Sequence, residues 1–145
     1  MSRLCFLVPR DFDDFSIIEK AFHESGFRVK VIVGGSNKDL DAKLEIFAEE
    51  NGLQYEIIPI DWNDLDAEGA VVKTNTWGKE YNAMAPIAQK RNMIDDCDYA
   101  VIIDDGSTGV NYDVKAVEEV GIQFFRKDCK PSHLAGASGG KIYKF

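Results

Sequence analysis

Short apolar runs alternate with amphipathic segments along most of the chain. Such runs are typical of buried strands, and they predict strands at residues 3–8, 29–33, 54–58, 99–103 and 123–126. Between the runs, apolar residues recur at helical spacing, as Phe15, Ile18 and Phe22 do, and they predict helices at residues 11–25, 40–48, 81–94 and 110–120. Strands that alternate with helices indicate an α/β fold.

The predicted architecture is a single Rossmann-like, doubly wound domain, with a mainly parallel sheet and helices on both faces. In such sheets, ligands bind at the carboxyl ends of the strands, beside the point where the strand order reverses. We assign residues 1–130 to this domain. Residues 131–145 form a tail rich in Gly and Ser, which is either an edge strand or an irregular end.

One segment, residues 61–77, shows neither the apolar pattern of a strand nor that of a helix and is predicted as a long loop. Loops of this length in a compact domain are usually functional or disordered. Trp62 and Trp77 flank it, and either ring can stack on a base, close over a ligand as a lid, or pack against the protein itself. Downstream, Pro86 interrupts the helix predicted at 81–94 and is expected to kink or restart it.

Two turns of small residues join a predicted strand to a predicted helix. The first contains Gly34, Gly35 and Ser36, and the second contains Gly106, Ser107, Thr108 and Gly109. Glycine lets the backbone approach a ligand and leaves N–H groups to face an anion, with a helix N-terminus behind them. The hydroxyl groups of the second turn can also donate to phosphate or ribose oxygens. The alternative for each turn is a plain connection with a polar helix cap.

Charged side chains near the same sheet edge supply further candidate ligand groups. Arg91, followed by Asn92, is the preferred phosphate partner, because a planar guanidinium binds two oxygens at once. Arg10, after the first strand, is a second candidate cation. The alternative for Arg91 is a solvated helix end. The candidate carboxylates, which can hold ribose hydroxyls or act as acid–base groups, are Asp61, Asp104, Asp105 and Asp113.

Composition narrows the classes of function. The 145 residues carry 25 acidic and 17 basic side chains, and this net charge of −8 disfavours a nucleic-acid-binding protein. No apolar run is long enough for a membrane span, and the start does not read as a secretion signal. Three widely spaced cysteines, of which Cys5 is expected in the core, indicate reduced thiols in the cytoplasm. Two distant histidines predict no metal site.

The order of these segments resembles the SLOG superfamily of Rossmann-like nucleotide-ligand domains, in particular its YspA/YpsA-like branch. The resemblance runs through most of the chain and rests on Pro9-Arg10-Asp11-Phe12, Gly34-Gly35 ahead of Asp41 and Ala48, Asp61-Trp62, Gly78-Lys79, Arg91-Asn92, and residues 106–113. It implies a protein that binds a nucleotide or nucleotide-derived metabolite without a cofactor. Such a protein would act as a sensor or sequestering protein, in bacterial or phage nucleotide signalling, and form a homodimer.

The Lonely Guy phosphoribohydrolases of this superfamily carry the signature Pro-Gly-Gly-x-Gly-Thr-x-x-Glu, which aligns with residues 105–113. The alignment puts their catalytic Glu on Asp113 and their catalytic Arg on Arg91. The resemblance thus implies an alternative function, N-glycosidic hydrolysis of a nucleoside monophosphate. Four signature positions differ, at Asp105, Ser107, Val110 and Asp113. Because Asp is one methylene shorter than Glu, we expect binding with slow or absent turnover.

Overall fold

The computed structural model describes residues 2–9, 12, 14–35, 38–129 and 142–144. Their helices and strands follow the chain in this order: β1 (Arg3–Leu7), α1 (Phe15–Ser25), β2 (Val31–Gly34), α2 (Lys38–Glu50), β3 (Gln54–Ile57), β4 (Val72–Thr74), β5 (Glu80–Asn82), α3 (Ala85–Asp95), β6 (Tyr99–Asp104), α4 (Thr108–Val120), β7 (Gln123–Asp128) and β8 (Ile142–Lys144).

The main sheet has the strand order β3-β2-β1-β6-β7-β8. Its first five strands are parallel, and β8 pairs antiparallel with β7 at the edge. The chain builds outward from β1 to β3, returns to the middle at β6, and then builds outward the other way. This order confirms the predicted doubly wound α/β fold, and it places the reversal of strand order between β1 and β6.

Both faces of the sheet are covered by helices. Successive residues of a strand point to opposite faces, so Leu4 and Phe6 of β1 pack with α1 and α2, whereas Cys5 and Leu7 pack with α3 and α4. All four side chains are fully buried, with at most 1% of their surface exposed. The prediction that Cys5 is a core residue is therefore confirmed.

The segment predicted as one long loop contains a hairpin instead. Strands β4 and β5 pair antiparallel as a separate two-stranded sheet, so the irregular stretch ends at Val71. Tyr81 and Asn82, predicted as helical, belong to this hairpin. The helix begins only at Ala85, which moves Pro86 into the first turn. Proline is favoured there because the first helical N–H groups have no partner within the helix, so Pro86 starts the helix and does not kink it.

Within the described ranges, no helix is long and apolar enough to cross a membrane. Nor do three or more His, Cys, Asp or Glu residues of that part of the chain lie together as metal ligands.

Candidate functional site

A cavity of about 330 Å³ opens at the carboxyl edge of the sheet, where the strand order reverses. Residues after β1, after β6, from α4 and from α3 meet there. Its described lining consists of Pro9, Lys90, Asp105, Ser107, Gly109, Val110 and Asp113. The volume lies at the lower end of the range usual for small-molecule sites. The position is the one that the doubly wound fold predicts for a ligand.

Asp113 and Lys90 form an ion pair that lines this cavity. The Lys90 Nζ donates to Asp113 Oδ1 at 2.9 Å. The Asp113 side chain is only 2% exposed, and that of Lys90 is 24% exposed. Burial raises the pKa of the Asp113 carboxyl, and the Lys90 charge opposes that rise. In the described part of the chain, Lys90 is the sole hydrogen-bond donor to Asp113, and Oδ2 accepts nothing.

The turn between β6 and α4 is fixed by two aspartates. Asp104 Oδ1 accepts from the Gly106 N–H at 2.8 Å, and Asp105 Oδ1 accepts from the Ser107 N–H at 2.9 Å. Gly106 has a φ of 86°, which glycine adopts without strain. Asp104 is buried, and its Oδ2 accepts from Arg126 Nε on β7 at 2.8 Å. The ion pair with Arg126 therefore holds the start of α4 against the neighbouring strand.

Asp105 gives the cavity a second carboxylate. Its hydrogen bonds with Ser107 hold the pKa of the Asp105 carboxyl below its usual range. It is therefore ionised at neutral pH, whereas Lys90 and Asp113 neutralise each other. The described lining thus contains one ion pair and one further carboxylate.

Arg91 lies on a different side of α3 from Lys90. Its Nη1 donates to Glu119 at 3.1 Å, and its Nε lies 3.8 Å from Asp95. Consecutive helical residues are rotated by about 100°, so the Arg91 guanidinium faces the outer part of α4 while the Lys90 ammonium faces the cavity. The structure brings Asp113 together with Lys90 and does not bring it together with Arg91. Asn92 is exposed.

The glycine turn after β2 is occupied by the protein's own groups. The Gly35 N–H donates to Asp41 Oδ1 at 2.9 Å, and the Gly35 carbonyl accepts from Gln89 Nε2 at 2.6 Å. A Cβ on Gly34 would lie 2.1 Å from the Tyr55 hydroxyl oxygen. The close approach that these glycines permit is thus used by Tyr55, Asp41 and Gln89, and neither glycine lines the cavity described above.

The remaining predicted site residues lie apart from the cavity or outside the described ranges. Asp61 is exposed and accepts from the Asn63 N–H at 3.2 Å. Trp62 is 44% exposed and packs edge-to-face on Tyr81, at 6.1 Å between ring centroids. Thr108 begins α4 beside the lining residues and is exposed. Arg10 and Ser36 lie outside the described residues.

Lys90 is the functional candidate that we did not single out from the sequence. The signal for it is its position on the helix: Met93 and Ile94, three and four residues further on, are fully buried. A residue at that spacing shares their inward face. Arg91 has Asp95 four residues on, which is typical of a solvated salt-bridging face. Reading the helical phase together with the charge distinguishes the two cations.

No protein-family model matches the chain, and no curated protein matches it.

Proposed function

We propose that this protein binds a nucleotide or a nucleotide-derived metabolite in the cavity between β1 and β6, as a sensor or sequestering protein. The observation that carries the proposal is the cavity itself. It lies where the strand order reverses, has room for a small ligand, and holds the ion pair between the partly exposed Lys90 and the buried Asp113. The resemblance to the SLOG superfamily, which stays a proposal, points to the same class of ligand.

The lining offers a partner for each part of such a ligand. The Asp105 carboxylate and the free Oδ2 of Asp113 can accept hydrogen bonds from ribose hydroxyls. Ser107 and the first turn of α4 present hydroxyl and amide donors to a phosphate, with the positive end of the helix dipole behind them. Lys90 supplies the cation. The base would lie toward Pro9 and Val110, the apolar part of the lining.

A hydrolase is the second candidate function, and Asp113 is the observation that favours it. A buried carboxyl with a raised pKa, beside a cation and in a cavity, is suited to acid–base work on a ribosyl group. In this version, Asp113 activates water or stabilises the ribosyl cation. Lys90 takes the phosphate-holding role that the family resemblance gives to Arg91, because the Arg91 guanidinium pairs with Glu119.

The binding proposal is tested by native mass spectrometry of the freshly purified protein, followed by a thermal-shift screen of nucleosides, nucleoside phosphates and cyclic dinucleotides. We expect at least one of these ligands to raise the melting temperature. Lys90→Gln should weaken its binding by tenfold or more, the scale of a lost charge-assisted hydrogen bond of about 1.5–3 kcal/mol. Arg91→Gln is the matched control on the next residue and should leave the affinity unchanged. A screen without a hit would overturn the proposal.

Turnover separates the two candidate functions. The assay follows release of the free base from a panel of nucleoside monophosphates by chromatography. We expect release to be slow or absent. The protein is a hydrolase if release is faster than about 1 s⁻¹, which is in the normal range for enzymes, and disappears in Asp113→Asn.

A further inference from the structure

Lys90 has two competing anions once a phosphate enters the cavity. In the structure described here, its Nζ is 2.9 Å from Asp113 Oδ1, and it is the sole basic residue in the described lining. A phosphate bound at the start of α4 lies within the same cavity. Lys90 is partly exposed and has a flexible side chain, so its ammonium can turn from Asp113 to the ligand.

That movement would leave Asp113 as a buried carboxylate without a counter-ion. A buried charge that loses its partner is strongly destabilised, and such a group commonly becomes neutral instead. Lys90 alone holds the pKa of Asp113 down, against the burial that raises it. When the ammonium leaves, only the raising effect remains, and the incoming phosphate adds to it as a like charge.

The neighbours of Asp113 offer no replacement cation within the described residues. From β1, the thiol of Cys5 interacts with it electrostatically, and the Asp105 carboxylate of the β6–α4 turn lines the same cavity. Asp104, at the end of β6, is engaged with Arg126, and Arg91 of α3 is engaged with Glu119. Among the groups that the structure describes around Asp113, none can replace Lys90, so proton uptake from solvent is the way to neutralise the carboxylate.

We propose that the cavity binds an anionic ligand together with one proton, which Asp113 takes up from solvent as Lys90 turns to the ligand. This inference rests on the proposed function. No covalent bond of the ligand is made or broken: the proton leaves water or buffer and joins a carboxylate oxygen of Asp113. Affinity for a phosphate-bearing ligand then rises as pH falls, by at most about tenfold per pH unit for one linked proton. An uncharged nucleoside leaves Lys90 on Asp113 and binds without this proton.

The experiment is titration calorimetry at pH 7 with adenosine 5′-monophosphate and the other three common ribonucleoside 5′-monophosphates, in buffers of different ionisation enthalpy. The dependence of the observed heat on buffer gives the number of protons taken up. We expect the native protein to exceed Asp113→Asn by at least about half a proton per ligand, because the titration of the ligand itself cancels in that difference. Asp95→Asn, which removes an exposed carboxylate of α3 outside the cavity lining, should keep the native value.

The native protein gives a second measurement that needs no variant. After correction for protonation of the ligand's own phosphate, affinity for adenosine 5′-monophosphate should rise as pH falls from 8 to 6. Affinity for adenosine should not change over the same range. Binding of any monophosphate without excess proton uptake overturns this inference and leaves the proposed function standing. Failure of all four monophosphates and of the nucleotide screen overturns both.

Discussion

Gly35 and Gly52 both have positive φ, at 131° and 69°, but they differ in their surroundings. A Cβ on Gly35 would lie 2.2 Å from the Ile58 carbonyl oxygen, whereas a Cβ on Gly52 meets no described atom within 4 Å. Gly52→Ala should therefore cost only the backbone strain of about 1–2 kcal/mol. Gly35→Ala should cost more, because a φ of 131° is less accessible to alanine than one of 69° and because overpacking adds about 1–3 kcal/mol. Urea unfolding of both variants measures the difference, and equal costs would show that the crowding at Gly35 has no energetic effect.

The pKa of Asp113 sets a pH dependence of stability. Because burial raises this pKa above the ordinary value of 3.8, the folded state holds a proton that the unfolded state has already lost. The stabilisation is complete below the unfolded pKa and is lost as pH rises through the folded pKa. As pH rises from about 4 to 7, the free energy of unfolding of Asp113→Asn should therefore increase relative to that of the native protein.

The control for this titration is Asp105→Asn, which removes a carboxyl whose pKa is lowered. The stabilisation by the Asp105 carboxylate is present above the unfolded pKa and is lost only as pH falls through the folded pKa. The difference in free energy of unfolding between Asp105→Asn and the native protein should therefore stay constant between about pH 5 and 7. Urea titrations at several pH values measure both. A flat difference for Asp113→Asn as well would contradict the raised pKa.

At the level of helices and strands, the sequence predicts the main sheet well because its central strands β1, β2 and β6 are buried on both faces. A continuous apolar run such as 99–103 is typical of a parallel strand that helices cover on both faces. The β4–β5 hairpin could not be predicted in the same way. Its strands have three residues each and are largely exposed, so burial imposes no alternation on them. The sequence pattern places Pro86 inside a helix because the apolar spacing continues upstream, through residues that belong to the hairpin.

The hairpin is held at its base and at its tip by one asparagine each. Asn82 Oδ1 accepts from the N–H groups of Val71 and Met84, and Asn75 Oδ1 accepts from those of Trp77 and Lys79. Asn82 is 2% exposed, so its side chain is shielded from solvent. Asn82→Ala should cost about 1–3 kcal/mol, because it removes the buried acceptor of two part-buried N–H groups.

Asn75→Ala is the matched control, since it removes the same pair of bonds where solvent reaches them. Its effect should be within about 0.5 kcal/mol. Thermal or urea unfolding gives the global cost, and amide exchange at Val71 and Met84 locates it. The description of the hairpin base is wrong if the two variants are equally stable.

For the molecule as a whole, the order of the strands determines where chemistry can gather. The sheet brings Pro9 to the same edge as Asp105 and the start of α4, although Pro9 is distant from both in the sequence. The sequence predicts that edge, because ligands of a doubly wound α/β sheet bind at the carboxyl ends of its strands. It does not predict which side chains point inward, because this depends on helical phase, as Lys90 and Arg91 show.

The homodimer implied by the family resemblance stays a prediction. Sedimentation velocity at micromolar concentration should give about twice the chain mass of 16.2 kDa. A single species at the chain mass would rule out the homodimer and leave the binding proposal standing, since the described lining residues belong to one chain.

The most direct test of the central claim is a ¹H–¹⁵N NMR titration with the best nucleotide from the screen. A second cavity, of about 400 Å³, lies at the opposite edge of the sheet beside Phe27, Arg28 and Lys30, so the two sites are distinguishable by their amides. We predict saturable shifts at Ser107, Thr108 and Gly109 and none at residues 27–30. Shifts confined to residues 27–30, or no saturable shift in either set, would contradict a nucleotide site between β1 and β6.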